Sequence, residues 1–321
     1  MTTTVRVTTF NVENLFNRYA LLDQPWENRS YEKIVAAVGL VSIASRQGDL
    51  VSYPLTEIQR NNTAQAILDS QPDVLCMQEV ENLYTLRNFN HEYLDDHFDR
   101  MLLIDGNDPR GIDVGFLLRK GFASEIEAVR THVDEGVEGK VVRRAASLAG
   151  GYWISGAVFS RDCLEVDVRV GAHVITFLVN HLKAQDGHAS STTRRRKQAE
   201  RVAALAADSA KAGRLPVVLG DLNVDPAAKD GSLDPLLKNP ASVLKDPFPA
   251  DTWTHWYTSG KEASRLDYIL PHTSVKTGEP EIVRKGLTTK CTKYTGARYP
   301  TVGAEHTEAS DHCPVMLPLV L

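Results

Sequence analysis

The sequence predicts an α/β protein built from two packed β-sheets with helices outside them. Short apolar runs of strand length recur along the whole chain, over residues 5–10, 73–79, 113–118, 164–170, 174–180, 216–221, 266–270 and 314–321. Only residues 56–69 and 192–211 carry a helical pattern, too few for the regular strand–helix alternation of a parallel fold. No solenoid-type repeat, low-complexity tract or Pro-, Gly- and Ser-rich linker divides the 321 residues, a length that allows two average domains or one large two-sheet domain.

Taken in order, the first run alternates and closes on Asn11. Residues 17–53 are long for one connection and weakly patterned, and read as an insertion folding over one edge of the site that the strand ends build. Thr56 is placed to cap a helix to about Asp69, with Ile58, Ile67 and Leu68 as its apolar residues. A buried-strand run then ends on Glu79, and a turn at Gly111 leads into the run that starts at Asp113. Residues 164–170 and 174–180, joined through Gly171, form a hairpin that meets His181. Thr192 or Thr193 caps a longer, Ala-rich helix through about Lys211, with Val202 and Leu205 on one face. The run at 216–221 stops at Asp221, followed closely by Asn223.

Composition narrows the function classes. The N-terminus enters a strand with no basic and apolar leader, and no apolar run approaches the ~20 residues that span a bilayer. A soluble, cytoplasmic chain is therefore expected, with a trimmed upstream export signal as the alternative, and a monomer is the separate expectation for its oligomeric state. Cys76, Cys163, Cys291 and Cys313 lack Cys-x-x-Cys spacing, which argues against thiolate zinc and for free thiols. The net charge of −5 counts against tight non-specific DNA binding. It leaves phosphodiester chemistry open, because phosphate contacts need only a local basic patch.

The polar residues that close the apolar runs carry the chemistry: Asn11, Glu79, Asp113, His181, Asp221 with Asn223, Asp267, and Asp311 with His312. A lone Asp or Asn at a strand end is most often a turn residue. As a set, however, carboxylates and a carboxamide are hard oxygen ligands suited to Mg²⁺ or Mn²⁺. Two histidines among them offer an acid and a base for phosphoryl-oxygen chemistry.

Six motifs resemble, in order, the signatures of the endonuclease/exonuclease/phosphatase superfamily. They are Thr9-Phe10-Asn11-Val12-Glu13-Asn14, Gln78-Glu79-Val80-Glu81-Asn82, Asn180-His181-Leu182-Lys183, Gly220-Asp221-Leu222-Asn223, Arg265-Leu266-Asp267-Tyr268-Ile269 and Ser310-Asp311-His312-Cys313-Pro314. Each is weak alone; their order over nearly the whole chain is specific. The resemblance implies a single domain over 1–321, a four-layer α/β/β/α sandwich of two packed, mainly antiparallel sheets, deoxyribonuclease I-like, with the site at one end.

It also implies roles. Glu79 with Asn11 resembles the primary metal-ligand pair, and Asp311 a further ligand or a carboxylate close to the metal. Asp221 and Asn223 resemble the pair that orients water and phosphate oxygens. His312 resembles the catalytic histidine beside the phosphate, with Asp267 holding its ring. His181 resembles a second histidine, and Asp113 falls where its carboxylate partner is expected, although Gly111-Ile112-Asp113 equally reads as a strand start. Whether His312 or Asp221 takes the water's proton stays open.

Arg110 and Lys183, close to these residues, are phosphate-binding candidates, and Arg143 and Arg144 are candidates for substrate contact. The run Arg194-Arg195-Arg196-Lys197 reads as a solvated helix face; cations are disfavoured in a first helical turn, which keeps a phosphate contact in play. Asp225 reads as a turn residue, and His188, His255, His272 and His306 as surface or packing residues. The leading expectation is a Mg²⁺- or Mn²⁺-dependent nuclease giving 5′-phosphates. A phosphodiesterase or phosphatase acting on a small molecule or lipid head group is the alternative, and an inactive binding scaffold the remote one.

Overall fold

In the computed structural model of the chain, the described residues are 3–15, 57–108, 110–136, 156–304 and 306–321, with the backbone alone of 18–22, 49–53, 145–146 and 152–153. The first sheet runs β16 (Lys276–Thr277), β18 (Val315–Val320), β1 (Thr4–Leu15), β4 (Val74–Val80), β6 (Asp113–Arg119) and β5 (Phe98–Leu103), with β17 (Glu281–Ile282) also pairing with β18. The second runs β15 (Asp267–Pro271), β12 (Leu215–Asp221), β11 (His173–His181), β10 (Cys163–Val170) and β7 (Glu125–Arg130). Three two-stranded ribbons join β2 (Arg18–Leu22) to β3 (Asp49–Tyr53), β8 (Ala145–Ala146) to β9 (Tyr152–Trp153), and β13 (His255–Tyr257) to β14 (Glu262–Ser264). The helices are α1 (Glu57–Ser70), α2 (Leu83–Tyr93), α3 (Ala189–Lys211) and the short α4 (Asp234–Leu237).

Period-two alternation sorts the strand residues into layers. Val5, Val74, Cys76 and Phe116 of the first sheet pack against Val166, Phe177, Val217 and Leu219 of the second. The Phe116 and Phe177 rings meet at 5.4 Å across that seam. The alternate residues Leu75, Met77 and Leu117 face outward onto Ala64 and Ile67 of α1 and Leu86 and Phe89 of α2. On the other side Leu178, Val218, Tyr268 and Leu270 face Ala199, Val202 and Ala206 of α3. The architecture is thus the expected four-layer α/β/β/α sandwich. Both sheets must be apolar on both faces, which is why their strands read as nearly continuous apolar runs.

Each sheet has one parallel pair near its centre, β1 with β4 and β11 with β12; the other pairings are antiparallel. A parallel pair needs a crossover, and α1 and α3 lie in those two connections. The carboxyl ends of four strands therefore meet the amino ends of their antiparallel neighbours β6, β15 and β18 at one rim. The register Asp221↔Asp267 shows the consequence directly.

The helices depart from expectation in instructive ways. Ile58 and Leu68 of α1 are exposed, and its buried face includes Gln59, Asn62, Thr63 and Ser70. Two of those polar residues fasten the chain that precedes Asp311 and His312: Asn62 Nδ2 donates to Thr307 O (2.6 Å) and Thr63 Oγ1 to Ala309 O (2.6 Å). Thr63→Val keeps the shape but leaves that carbonyl unpaired. It is expected to cost roughly 1–3 kcal/mol, read by urea unfolding, with an activity loss larger than the stability loss explains.

Helix α3 starts at Ala189, a turn earlier than expected, with His188 as its N-cap residue. The basic run consequently falls in the second turn, and its reading as a solvated face fails at Arg195. That side chain is fully buried and donates to Lys183 O (2.9 Å), Ser232 Oγ (3.0 Å) and Asp230 Oδ2 (2.7 Å). Arg195 is a clip between two loops. Helix α2 was not anticipated; Asn82 caps it by accepting from Thr85 N (2.9 Å), but Leu86 and Phe89 are its only buried apolar residues, too few to mark a face. Among the described residues no helix is long and apolar enough to cross a membrane. Residues 23–48 of the expected insertion, together with Arg143 and Arg144, lie outside the described residues.

Candidate active site

The rim is assembled from strand ends that leave regular geometry. Glu79 sits at a register shift between β4 and β6 with φ 66°, and Glu13, Asn14 and Asn223 have φ 49°, 63° and 58°. Left-handed backbone is unfavourable for side chains with a Cβ and needs local compensation. Here the functional carboxyl and amide oxygens supply it. Glu79 Oε2 accepts from Asn14 N (3.1 Å), Asn11 Oδ1 from Glu13 N (3.1 Å), and Asp221 Oδ1 from Asn223 N (2.9 Å).

Asp221 lies at the centre. Its Oδ2 accepts from Asn11 Nδ2 (3.0 Å) and Asn223 Nδ2 (3.1 Å), and lies 3.3 Å from His181 Nε2 and 3.9 Å from His312 Nε2. Burial would raise its pKa, but the hydrogen bond to His181 and the His312 charge outweigh that and hold the carboxyl well below the usual range. His312 Nδ1 is 2.9 Å from Asp267 Oδ2, which also accepts from Thr254 Oγ1 (2.6 Å). Burial works against the imidazolium, yet Asp267 and Asp221 together push His312 well above the ordinary histidine value. Asp267 itself is fully buried, and burial raises its carboxyl.

Asn11, Glu79, His181, Asp221, Asn223 and His312 line one cavity of about 790 Å³. Asp267 stands behind His312. Asp311 lines not that cavity but a neighbouring one of about 450 Å³, together with Glu13. Arg110 reaches the larger cavity while paired to Asp108 (3.1 Å). Lys183 does not line that cavity; its ammonium is bound to Asp186 (2.9 Å). Asp113 does not hold His181 either, because it accepts from Gly106 N (2.6 Å) while His181 Nδ1 has no hydrogen-bond partner among the described residues.

Asp113 instead acts on stability. Burial raises its carboxyl to about 7, so the stability it contributes is present below its unfolded value of 3.8 and is lost as pH rises toward 7. Asp113→Asn is expected to raise the melting temperature at pH 8 and to leave it nearly unchanged at pH 3.5, as scanning calorimetry at the two pH values will show.

Three residues at the site were not anticipated. Arg161 is buried in the cavity wall, donates to Leu182 O (3.0 Å) and lies 2.9 Å from Asp108. A lone arginine flush with the start of an apolar strand was the available signal. Glu13 is raised to about 8 by burial and by Asp311, and accepts from Asp311 N (3.0 Å). His255, expected as a surface or packing residue, stacks on His312 with ring centres 4.7 Å apart.

The sequence profile of the Endonuclease/Exonuclease/phosphatase family matches residues 9–312. The chain belongs to that family. This makes it a phosphoester hydrolase by membership, and the described strands agree with the family's two-sheet fold. Among curated proteins none matches the sequence. Solved structures share the fold at low identity. An endonuclease/exonuclease/phosphatase from Bacteroides vulgatus is 16% identical with TM-score 0.60, the match covering 99% of this chain and 98% of that one. A mannosyl-6-phosphatase from Bacteroides thetaiotaomicron is 16% identical with TM-score 0.59 over 99% and 100%. Truncated TDP2 from Caenorhabditis elegans is 14% identical with TM-score 0.54 over 99% and 98%.

The donor set fits a hard divalent cation of the kind this family generally uses. Glu79 Oε1 accepts no hydrogen bond among the described residues, and Glu79 and Asn11 share the cavity wall. Oxygen donors of this kind match Mg²⁺ or Mn²⁺.

Proposed function

We propose that the chain hydrolyses phosphodiester bonds of nucleic acid by in-line attack of water, as a divalent-metal-dependent nuclease. The observation that carries this is the placing of two imidazole Nε2 atoms, 3.3 and 3.9 Å away, on one ionised carboxylate oxygen of Asp221. Such a site can face the two non-bridging oxygens of a diester, which share one negative charge, and its leaving group at once.

A cation held by Glu79 and Asn11 would neutralise charge on the phosphate oxygens. The carboxylates of Asp267 and Asp221 favour the charged form of His312, which suits it to donate to the phosphoryl or leaving oxygen rather than to take a proton. Asp267 keeps its ring oriented and charged, the role an aspartate plays behind a catalytic histidine. Asp221 orients the water and accepts its proton as the P–O bond forms and the ester P–O bond breaks. A strongly acidic carboxylate is a weak base at rest, but an arriving phosphate adds negative charge beside it and raises its proton affinity. Arg161 and Arg110 supply fixed positive charge on the cavity wall.

A phosphomonoester is the second reading, favoured by the likeness to the mannosyl-6-phosphatase and by the net charge of −5. Plasmid DNA, single-stranded DNA, RNA, bis-p-nitrophenyl phosphate and p-nitrophenyl phosphate, each with Mg²⁺ or Mn²⁺ and with EDTA, separate the two. Nucleic-acid cleavage that EDTA abolishes is the expected result. Turnover confined to the monoester would overturn the diester reading.

A further inference from the structure

His255, Asp311 and His312 form a second cluster beside the one used above, on the wall between the two cavities. One ring nitrogen of each histidine and one carboxylate oxygen of Asp311 all lie within 4.8 Å of one another. His255 Nε2 is 3.5 Å from Asp311 Oδ2, and His312 Nε2 is 3.9 Å from Asp311 Oδ1. Ligands about 2.0–2.1 Å from a tetrahedral zinc ion stand roughly 3.4 Å apart, so these separations need only small rotamer adjustments.

The other nitrogen of each ring is already engaged. His312 Nδ1 is paired with Asp267 Oδ2 (2.9 Å) and His255 Nδ1 with Ser264 Oγ (3.0 Å). Metal-binding histidines are oriented by just such a partner on the non-ligating nitrogen. The backbone fixes the same arrangement, since His255 and His312 form a β-bridge and Trp256 N donates to Asp311 O (2.9 Å). Access is open: the Asp311 side chain is 41% exposed. The buried group Asp221, Asp267 and His312 is the competing site, but occupying it would break the Asp267–His312 bond.

We propose that His255, Asp311 and His312 are an inhibitory site for a borderline transition-metal ion of the Zn²⁺ class, separate from the Glu79–Asn11 pair. Two imidazoles and one carboxylate suit zinc, whereas the oxygen donors of Glu79 and Asn11 suit Mg²⁺. The ion displaces the Nε2 proton of His312 to solvent and takes the freed lone pair, so His312 can no longer donate a proton to the substrate. This inhibition rests on the hydrolytic reading of His312; the binding itself does not.

The test is therefore spectroscopic first. Co²⁺ titrated into the intact chain in the presence of excess Mg²⁺ is expected to give the intense visible absorption of a tetrahedral site at one equivalent, discharged by one equivalent of Zn²⁺. His255→Ala and His255→Gln are expected to lose the band with circular dichroism unchanged, while Glu79→Gln retains it. Ser264→Ala is expected to weaken Co²⁺ roughly 10-fold to 100-fold, as removing the partner of a ligating histidine does. No tetrahedral band, or a band that survives in both His255 variants, overturns the proposal. Zn²⁺ is also expected to inhibit hydrolysis of the diester in wild type and to lose most of that inhibition in His255→Gln, which removes a ligand outright. A band without inhibition of a measurable hydrolysis overturns the inhibitory role. An absence of hydrolysis altogether counts against the function proposed above and leaves the Co²⁺ result to decide this one.

Discussion

His312→Ala is expected to lower phosphoester turnover by roughly 10³–10⁴-fold, the scale set by removing a positioned acid together with its charge. The loss should fall on kcat more than on KM, because the imidazolium acts on charge that develops at the reacting oxygens. Asp267→Asn probes the same unit from behind. An amide in place of the carboxylate removes the negative charge that raises His312, the first of the favourable influences on it. A raised histidine keeps its proton, and the stability and activity tied to it, until pH climbs through its folded value. Removing Asp267's charge therefore moves the alkaline limb of the pH–rate profile to lower pH. Full activity in His312→Ala, or an unmoved alkaline limb in Asp267→Asn, would remove His312 from the chemistry.

Gly220→Ala is the largest expected effect on the fold. Gly220 has φ 127°, and a Cβ there would stand 1.9 Å from the carbonyl oxygen of Asn180. Both atoms belong to backbone in the parallel pair, where Asn180 and Gly220 are register partners, so no side chain can swing aside. The strands would have to part just before His181 and Asp221. A cost above about 4 kcal/mol is expected, a large share of the ~5–15 kcal/mol that holds a typical domain together. Thermal unfolding should fall by roughly 10 °C or the protein should be insoluble. Gly187→Ala is the control: its φ is 75° but no atom lies within 4 Å of the added Cβ. It pays only the left-handed backbone penalty. Wild-type melting in Gly220→Ala would show that β11 and β12 can accommodate the methyl group.

The chemistry at the rim and the strands that deliver it were legible in the sequence for one reason. A strand buried on both faces must be apolar throughout, so the polar residue that ends it stands out against its own neighbours. Asn11, Glu79, His181, Asp221 and Asp267 are all of this kind, and five of the strands they close or open match the apolar runs to within a few residues. The six ordered motifs then identified the family, and with it the two-sheet fold and phosphoester hydrolysis.

What the sequence alone left undecided were contacts between segments far apart in the chain. Lys183 lies beside His181 in sequence and Asp113 falls where the family pattern expects a partner for His181, but each finds another partner, Asp186 and the Gly106 amide. Arg195 belongs to a basic run and is buried, because three acceptors from two loops replace its water. His255 carries no local signal, since its role comes from the bridge that lays it against His312. The polar face of α1 likewise makes sense only once the segment before Asp311 lies across it. Apolar periodicity is a local property and survives reading along one chain. Hydrogen-bond and ion-pair partners are chosen by proximity in space, and only the packed sheets determine which residues those are.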